Sequence, residues 1–421
     1  MTLPKTLEIR QAYKVATTFF TPGKPKEDPM AKQEKPTLEH NADIARLIIR
    51  KFSCIKDMTV EFKRLTVFIG EQASGKSVTC KLYYFFTQAF RNVYANCLEK
   101  RLKFDMIAKG LEKEFRLIFP DSAWQNDAFC ISWNIDGKKL VVSHSRSAKK
   151  IRIQCDDYRE TYESTLNGLN TKYKDKTVIS LLDEEDVFNS RMLVSRFVSQ
   201  AISSLNLPSV DYIPAGRSFF STIQENVFAL LSDNIGIDYF LKEFGRRIES
   251  RGFRFFRHDP YSSLREYKNI LHGSYSFDGK EQWIVRDENH KVRLADASSG
   301  QQEVFPLLLL LNQFLHVDIS KPRRVVIEEP EAHLFPTAQK EIVELLRSLM
   351  QRTKAIGFVI TTHSPFILCC LNNLIAKSKS LGNAVSAYHL HDGILDDLYD
   401  NDLKMINAER FDNISTEIAN G

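Results

Sequence analysis

The chain has 421 residues, 43% of them hydrophobic and 26% charged, the profile of an ordinary globular protein rather than a fibrous or disordered one. At about 100–200 residues per domain, this length allows two or three domains, or one large core with an insertion. Lys+Arg of 58 against Asp+Glu of 53 leaves a net charge of +5, too small to argue by itself for nucleic acid, and the seven cysteines contain no C-x-x-C pair, which argues against zinc-ribbon and thioredoxin chemistry.

Residues 1–40 read as an N-terminal extension. Thr21–Pro36 is rich in Lys, Pro and Glu and suits a flexible linker, so the segment is either a docking arm or a loose terminus. A core begins at 41–90. Leu47 and Ile49 share one strand face, and Met58, Val60 and Phe62 share another. Leu65–Ile69 is a buried strand that runs into Gly70-Glu71-Gln72-Ala73-Ser74-Gly75-Lys76-Ser77, and Val78–Phe86 then starts a helix. This is G-x-x-x-x-G-K-[ST] in its strand–turn–helix setting. The glycines let backbone N–H groups close on phosphates at a helix N-terminus, where the dipole also favours negative charge. Lys76 is expected to reach the β- and γ-phosphates, Ser77 to offer its hydroxyl to Mg²⁺, and Val78 to complete the loop.

Residues 91–209 read as an inserted helix–β-hairpin–helix lobe. Leu98, Leu102, Met106, Leu111 and Phe115 recur at helical spacing, and Phe129, Ile131 and Trp133 alternate into an Asp136-Gly137 turn. Asp156–Leu207 is helical again, with no sustained heptad, so no long coiled-coil arm is expected. Residues 210–395 read as the second half of the core, opened by the strand Val210–Ala215 and by Gly216-Arg217-Ser218. Arg246, Arg247, Arg251 and Phe253–Arg257 combine arginines with aromatics. That composition fits either a nucleic-acid stacking surface or a strand with one aromatic and one solvated face, and the spacing of two favours the second. Lys138-Lys139 and Lys149-Lys150 with Arg152 read as a solvated hairpin edge.

Next comes Ala297-Ser298-Ser299-Gly300-Gln301-Gln302-Glu303, which opens an apolar helix. Val325–Pro330 is an apolar strand ending in Glu328 and Glu329. Thr337–Met350 is an amphipathic helix, and Phe358–Thr362 is a strand that delivers His363. Ala384–Leu390 is a last strand, and 396–421 reads as a solvated C-terminal tail. No run approaches the about 18 apolar residues of a membrane span, and Met1–Arg10 lacks the apolar core of a signal peptide.

The order of phosphate loop, serine-glycine-glutamine helix, double acid and strand-end histidine resembles the ATP-binding-cassette (ABC) ATPases. The likeness is strongest to their soluble branch of RecF, chromosome-maintenance (SMC) heads and overcoming-lysogenization-defect (OLD) ATPases. Ser298–Glu303 and the Glu-Glu-Pro-Glu-Ala-His-Leu-Phe-Pro run at 328–336 point to the OLD-like group. The resemblance covers roughly residues 45–90 and 210–395. It implies an α/β P-loop NTPase fold, an ABC-ATPase head with a mixed sheet, and ATP with Mg²⁺ as cofactors.

The same resemblance assigns roles. Gly70 to Val78 would bind nucleotide, with Lys76 also catalytic, and Ser77 and Glu328 would hold the metal, Glu328 through a metal-bound water. Glu329 would orient the attacking water and His363 would contact it or the γ-phosphate. Ser298, Ser299, Gly300 and Gln301 would reach the γ-phosphate of an opposite subunit, so a head-to-tail, ATP-bridged homodimer is implied, with Ala332–Leu334 near its dyad. Arg217 would contact a phosphate or a partner subunit, unless it forms a structural salt bridge. Phe52 or Lys51 would touch the base, unless Phe52 is core. No clear Q-loop glutamine can be placed, and the stretch after the last strand is expected to be too short for the nuclease domain of OLD nucleases. The expected function is therefore a cytoplasmic ATPase regulating a separate effector, such as a nuclease, in antiphage defence. The alternative is a RecF-like repair ATPase that clamps DNA directly, and a transporter ATPase is a third, disfavoured reading.

Overall fold

A computed structural model describes residues 45–124, 128–146, 150–172, 184–223, 237–248, 267–278, 281–317, 319–378 and 381–409. The extension at 1–40, the residues 251–257 of the arginine–aromatic run and Lys149 lie outside the described residues. The strands are β1 (Ala45–Phe52), β2 (Ile55–Phe62), β3 (Leu65–Gly70), β4 (Phe129–Ile135), β5 (Lys138–His144), β6 (Arg152–Gln154), β7 (Ser209–Ile213), β8 (Ser274–Phe277), β9 (Gln282–Val285), β10 (Lys291–Arg293), β11 (Arg323–Glu328), β12 (Ile356–Thr362), β13 (Val385–His391) and β14 (Ile394–Asp397). The helices are α1 (Lys76–Tyr84), α2 (Phe90–Glu99), α3 (Asp105–Ile118), α4 (Arg159–Lys172), α5 (Glu184–Ser203), α6 (Ser218–Ile223), α7 (Tyr239–Arg247), α8 (Lys268–Leu271), α9 (Ser299–His316), α10 (Pro336–Arg352) and α11 (Pro365–Ala376).

The central sheet has the order β14-β13-β3-β12-β11-β7. Every pairing in it is parallel except the edge hairpin of β13 with β14. Parallel strands must be covered on both faces, so their sequences are near-continuously apolar. β3 and β12 meet this requirement, with every residue buried. Val67 and Ile69 face a core built with α9, α10 and α11, while Phe68 faces the opposite core. This is a P-loop ATPase α/β fold. Ligands of such sheets bind beyond the carboxyl ends of the strands, where Gly70, Glu328 and Thr362 all lie.

The second core is covered by an antiparallel sheet of order β2-β1-β4-β5-β6. Leu47, Ile49, Val60, Ile131, Trp133, Leu140 and Val142 are buried within it, as the period-two spacing requires. The β4–β5 turn takes positive φ at Asp136 (50°) and Gly137 (71°), the twist of a two-residue hairpin loop. That hairpin does not stand apart as a lobe: β4 pairs with β1, from Arg46 opposite Asn134 to Arg50 opposite Cys130. Phe52 is fully buried against Phe115, Phe119 and Phe129. It is core, and the base-contact reading falls for Phe52, while Lys51 is exposed.

Two further expectations change. Residues 396–406 do not leave the fold as a solvated tail, and 410–421 lie outside the described residues. β14 pairs with β13, Tyr399 is buried, and Ile406 is fully buried beside α11, where Asn372 bonds both its N–H and its carbonyl. The first two arginines of the basic–aromatic run are also committed within the fold: Arg247 pairs with the fully buried Asp211 of β7, and Arg246 with Glu243.

Candidate nucleotide site

The loop between β3 and α1 is shaped by residues that tolerate unusual backbone. Gly70 has φ 147°, Ala73 59° and Gly75 105°. A Cβ on Gly70 would lie 2.2 Å from the carbonyl oxygen of Leu390 on β13, so glycine is required there for strand packing as well as for the turn. Gly75 is backed by Ile55 and Cys54, 3.0 and 3.3 Å from where its Cβ would stand. Glu71, Gln72, Ala73 and Ser77 are exposed, Val78 is half-buried, and Ser74 and Lys76 are buried. The Lys76 ammonium donates to the carbonyls of Gly70 (2.8 Å) and Glu71 (2.5 Å) and lies 3.4 Å from Ser74 Oγ. Burial lowers its pKa, against the pull of the carboxylates of Glu329, Glu331 and Glu328. The first-turn N–H groups of α1 have no intrahelical acceptors, as at any helix start. An open loop of donors beside a folded-back lysine fits a polyphosphate.

Glu328 and Glu329 leave β11 in different directions. Glu328 is 6% exposed, and its carboxylate accepts from the Tyr212 hydroxyl (2.8 Å) and the Ala215 N–H (3.3 Å). Burial, with Glu328 next to it, pushes the Tyr212 phenol well above its ordinary value, so Tyr212 holds its proton and donates. Glu329 takes φ 45°, which turns its side chain out of the strand. Its Oε1 lies 3.3 Å from His363 Nε2, and both side chains are partly exposed. The expected acid and the expected histidine, from neighbouring strands, therefore meet. Ser77 and Glu328 would offer oxygen donors of the kind Mg²⁺ takes.

Arg217 is not a phosphate or partner contact. It is fully buried, and its guanidinium is engaged inside the chain. Nε donates to the Glu303 carbonyl (3.3 Å), Nη1 to the carbonyls of Pro214 (3.1 Å) and Glu328 (2.7 Å), and Nη2 to the Glu329 carbonyl (3.0 Å), while Nη2 is ion-paired with Glu303 Oε1 at 3.2 Å. Glu303 also accepts from the N–H groups of Arg217 (3.0 Å) and Ser218 (2.8 Å). The pair ties the first turn of α9 to the backbone of the double acid.

Ser298 caps α9 in a capping box with Gln301. Its N–H donates to Gln301 Oε1 (3.1 Å), and its hydroxyl accepts from the Gln301 N–H (3.4 Å). The Gln301 amide donates to the Leu271 carbonyl (2.6 Å) and is occupied inside the chain. Ser298 and Ser299 are exposed. Gly300 faces the 331–334 loop, where a Cβ would stand 2.7 Å from the carbonyl of His333, itself exposed with φ 58°. Among the described residues, no hydrogen bond joins 298–301 to 70–77.

Sequence reasoning gave no role to Tyr212, Glu303, Glu331 or Thr362. The lone carboxylate of Glu303 ahead of an apolar helix was the available signal. Glu331 Oε1 accepts from the Thr362 hydroxyl (2.8 Å) and the His363 N–H (2.7 Å), while its Oε2 is buried without a hydrogen-bond partner. Burial raises its pKa.

Comparison with known proteins places the chain in a family. Residues 65–368 match the family described as "AAA domain, putative AbiEii toxin, Type IV TA system". The chain belongs to this family. As an AAA-domain protein it is a P-loop ATPase of ABC/AAA type. It is 25% identical over 151 residues to "Probable ABC transporter ATP-binding protein p29" of Mesomycoplasma hyorhinis, a match covering 33% of this chain and 57% of that relative. Its fold is similar to "Crystal structure of the SmcHead bound to the C-winged helix domain of ScpA" (TM-score 0.43, 14% identity, 84% of this chain and 96% of the other). It is also similar to "SMC head domain from Thermotoga maritima" (TM-score 0.35, 13% identity, 84% and 98%). Among the described residues, no helix of this AAA-domain protein is long and apolar enough to cross a membrane.

Proposed function

We propose that this AAA-domain protein is an OLD-like ABC-type ATPase that hydrolyses ATP at composite sites of a head-to-tail dimer and regulates a separate effector, such as a nuclease, in antiphage defence. The observation that carries the hydrolytic reading is the 3.3 Å contact of Glu329 with His363 beside the phosphate loop. Mg²⁺ bound with ATP would supply charge neutralisation at the phosphates. Lys76 would exchange the Gly70 and Glu71 carbonyls for phosphate oxygens. Glu329 would accept a proton from, and orient, the attacking water, and His363 would hold Glu329 and sense the γ-phosphate. Ser77 and Glu328 would face the metal, Glu328 being held by Tyr212.

The dimer reading is supported by the exposure of Ser298 and Ser299, while the Gln301 amide serves its own chain. Ser298, Ser299 and Gly300 at the start of α9 would complete the site of the opposite subunit. The effector reading is supported by the abortive-infection and toxin–antitoxin terms in the family description. Exposed Met192 (59%) and Leu193 (49%) on α5 offer an apolar surface for such a partner. A direct DNA clamp finds less support, because Arg246 and Arg247 are paired within the fold and Lys138 donates to Thr161 (3.2 Å).

Glu329→Gln decides the hydrolytic assignment. It is expected to retain ATP and accumulate as an ATP-bound dimer, with turnover reduced by about 100-fold or more, in the range of a lost general base. Turnover at the wild-type rate sinks the assignment. Co-purification of the tagged chain with its gene neighbours, with and without ATP, tests the effector. A lone dimer retaining duplex DNA, with steep salt dependence, would favour the clamp.

A further inference from the structure

The edge hairpin of the central sheet carries a cluster that the nucleotide chemistry does not use. β13 ends in His389-Leu390-His391, the turn is Asp392-Gly393, and β14 returns through Asp396. Both turn residues take positive φ, 50° and 77°, so the hairpin closes in two residues. His389 and His391 are two apart and share a face, and their rings stack 4.9 Å apart at 25°. Tight closure sets Asp396 directly across from His389. Its Oδ2 lies 2.9 Å from His391 Nε2. One ligand atom from each of His389, His391 and Asp396 falls within 4.8 Å of the others, and all three side chains are half-buried.

We propose that His389, His391 and Asp396 bind one divalent first-row transition ion of the zinc class. Two imidazoles and one carboxylate are the donors such ions select over Mg²⁺ or Ca²⁺, which prefer all-oxygen sets. Ligand bonds of about 2.0–2.2 Å require the His391–Asp396 contact to open slightly so that the ion can enter between them, leaving a fourth position for water. The hairpin is a clasp at the P-loop strand's neighbour. Leu390 is in register with Gly70, and the Gly393 carbonyl accepts from the Lys56 N–H (2.8 Å). Cys54 and Ile55, just before Lys56, are the residues that back Gly75. An ion at this position therefore pins the turn on which the phosphate loop leans.

The test uses the full chain, stripped with a chelator and dialysed into magnesium buffer, then titrated with Zn²⁺ or Co²⁺ alone. One equivalent is expected to bind. The Co²⁺ spectrum should show d–d bands without a thiolate charge-transfer band, which separates this site from the free cysteines. Zn²⁺ should raise the melting temperature. His391→Ala and the double variant His389→Ala/His391→Ala should lose binding by about 100-fold or more, since even losing a residue that only supports a ligand costs about 10–100-fold. Both should keep metal-free binding of a fluorescent ATP analogue, which shows that they fold. Unchanged Zn²⁺ affinity in the double variant, a thiolate band, or no stoichiometric binding by the wild type would each overturn the proposal.

Discussion

Arg217 and Glu331 show how single buried charges organise the candidate site from behind. The Arg217 guanidinium bonds the carbonyls of both Glu328 and Glu329 and pairs with Glu303. Lysine offers a point charge and cannot span these acceptors. Arg217→Lys keeps a cation beside Glu303 but leaves buried carbonyls unpaired, so it is expected to lower stability by about 1–3 kcal/mol. Denaturant melts measure this, and a change below about 0.5 kcal/mol would show that the network adds nothing. Glu331 makes an opposite case. Its raised pKa means that the folded state binds its proton more tightly than the unfolded chain does, so ionisation costs stability as pH rises through the folded value. Glu331→Gln keeps the Oε1 acceptor for Thr362 and His363 and removes the charge. The variant should melt above wild type near pH 8, and the gain should vanish as pH falls below the ordinary 4.5. Melting curves across that range check the sign, and a gain that grows toward acid would contradict it.

At the scale of elements, α9 shows what the sequence carried and what it hid. The capping signal Ser298-x-x-Gln301 is local, and so was readable. The same holds for the strand–glycine–helix context of β3 and α1, for the period-two faces of β1 and β2, and for the α10 stripe of Ile342, Leu345, Leu346 and Leu349, all buried. The second job of α9 was not readable, because Glu303 meets Arg217 from 86 positions away. Likewise, the β4–β5 hairpin announced itself through Asp136-Gly137, but local patterning says nothing about which edge a hairpin joins. The pairing of β4 with β1 therefore came as a revision. The post-395 residues looked solvated for a related reason. Their acidic composition dominates the reading, while the apolar anchors Tyr399 and Ile406 are sparse. For α9 itself, Ser298→Ala removes the side-chain acceptor of the cap and should cost about 1 kcal/mol. The exposed hydroxyl is also the group proposed to meet the opposite subunit's nucleotide. The variant should accordingly remain folded and bind ATP, yet fail to dimerise with it. Light scattering with ATP checks this, and a normal ATP-induced dimer would confine Ser298 to capping.

The whole molecule poses the question of whether one chain can complete its own site. Glu329, His363, Lys76 and the phosphate loop cluster at the carboxyl ends of β3, β11 and β12. Residues 298–301 make no hydrogen bond to 70–77. If the opposite copy supplies Ser298 to Gly300, then Lys76→Ala and Ser298→Ala each disable both sites of their own homodimer, for different reasons. An equal mixture of the two gives a different result. Neither variant forms the ATP-bridged dimer alone, so the dimers that assemble are mixed. In a mixed dimer one site combines both lesions, whereas the other joins an intact phosphate loop to an intact signature. The mixture should therefore recover turnover, up to about half of wild type, because the head-to-tail arrangement places each subunit's phosphate loop and signature in different sites. The measurement is steady-state ATP hydrolysis of the two variants apart and after mixing. Recovery on mixing requires residues from two chains in one site. If the mixture stays at the level of the separate variants while mixed dimers are present, the sites are not shared, and the dependence on Ser298 arises within a single subunit.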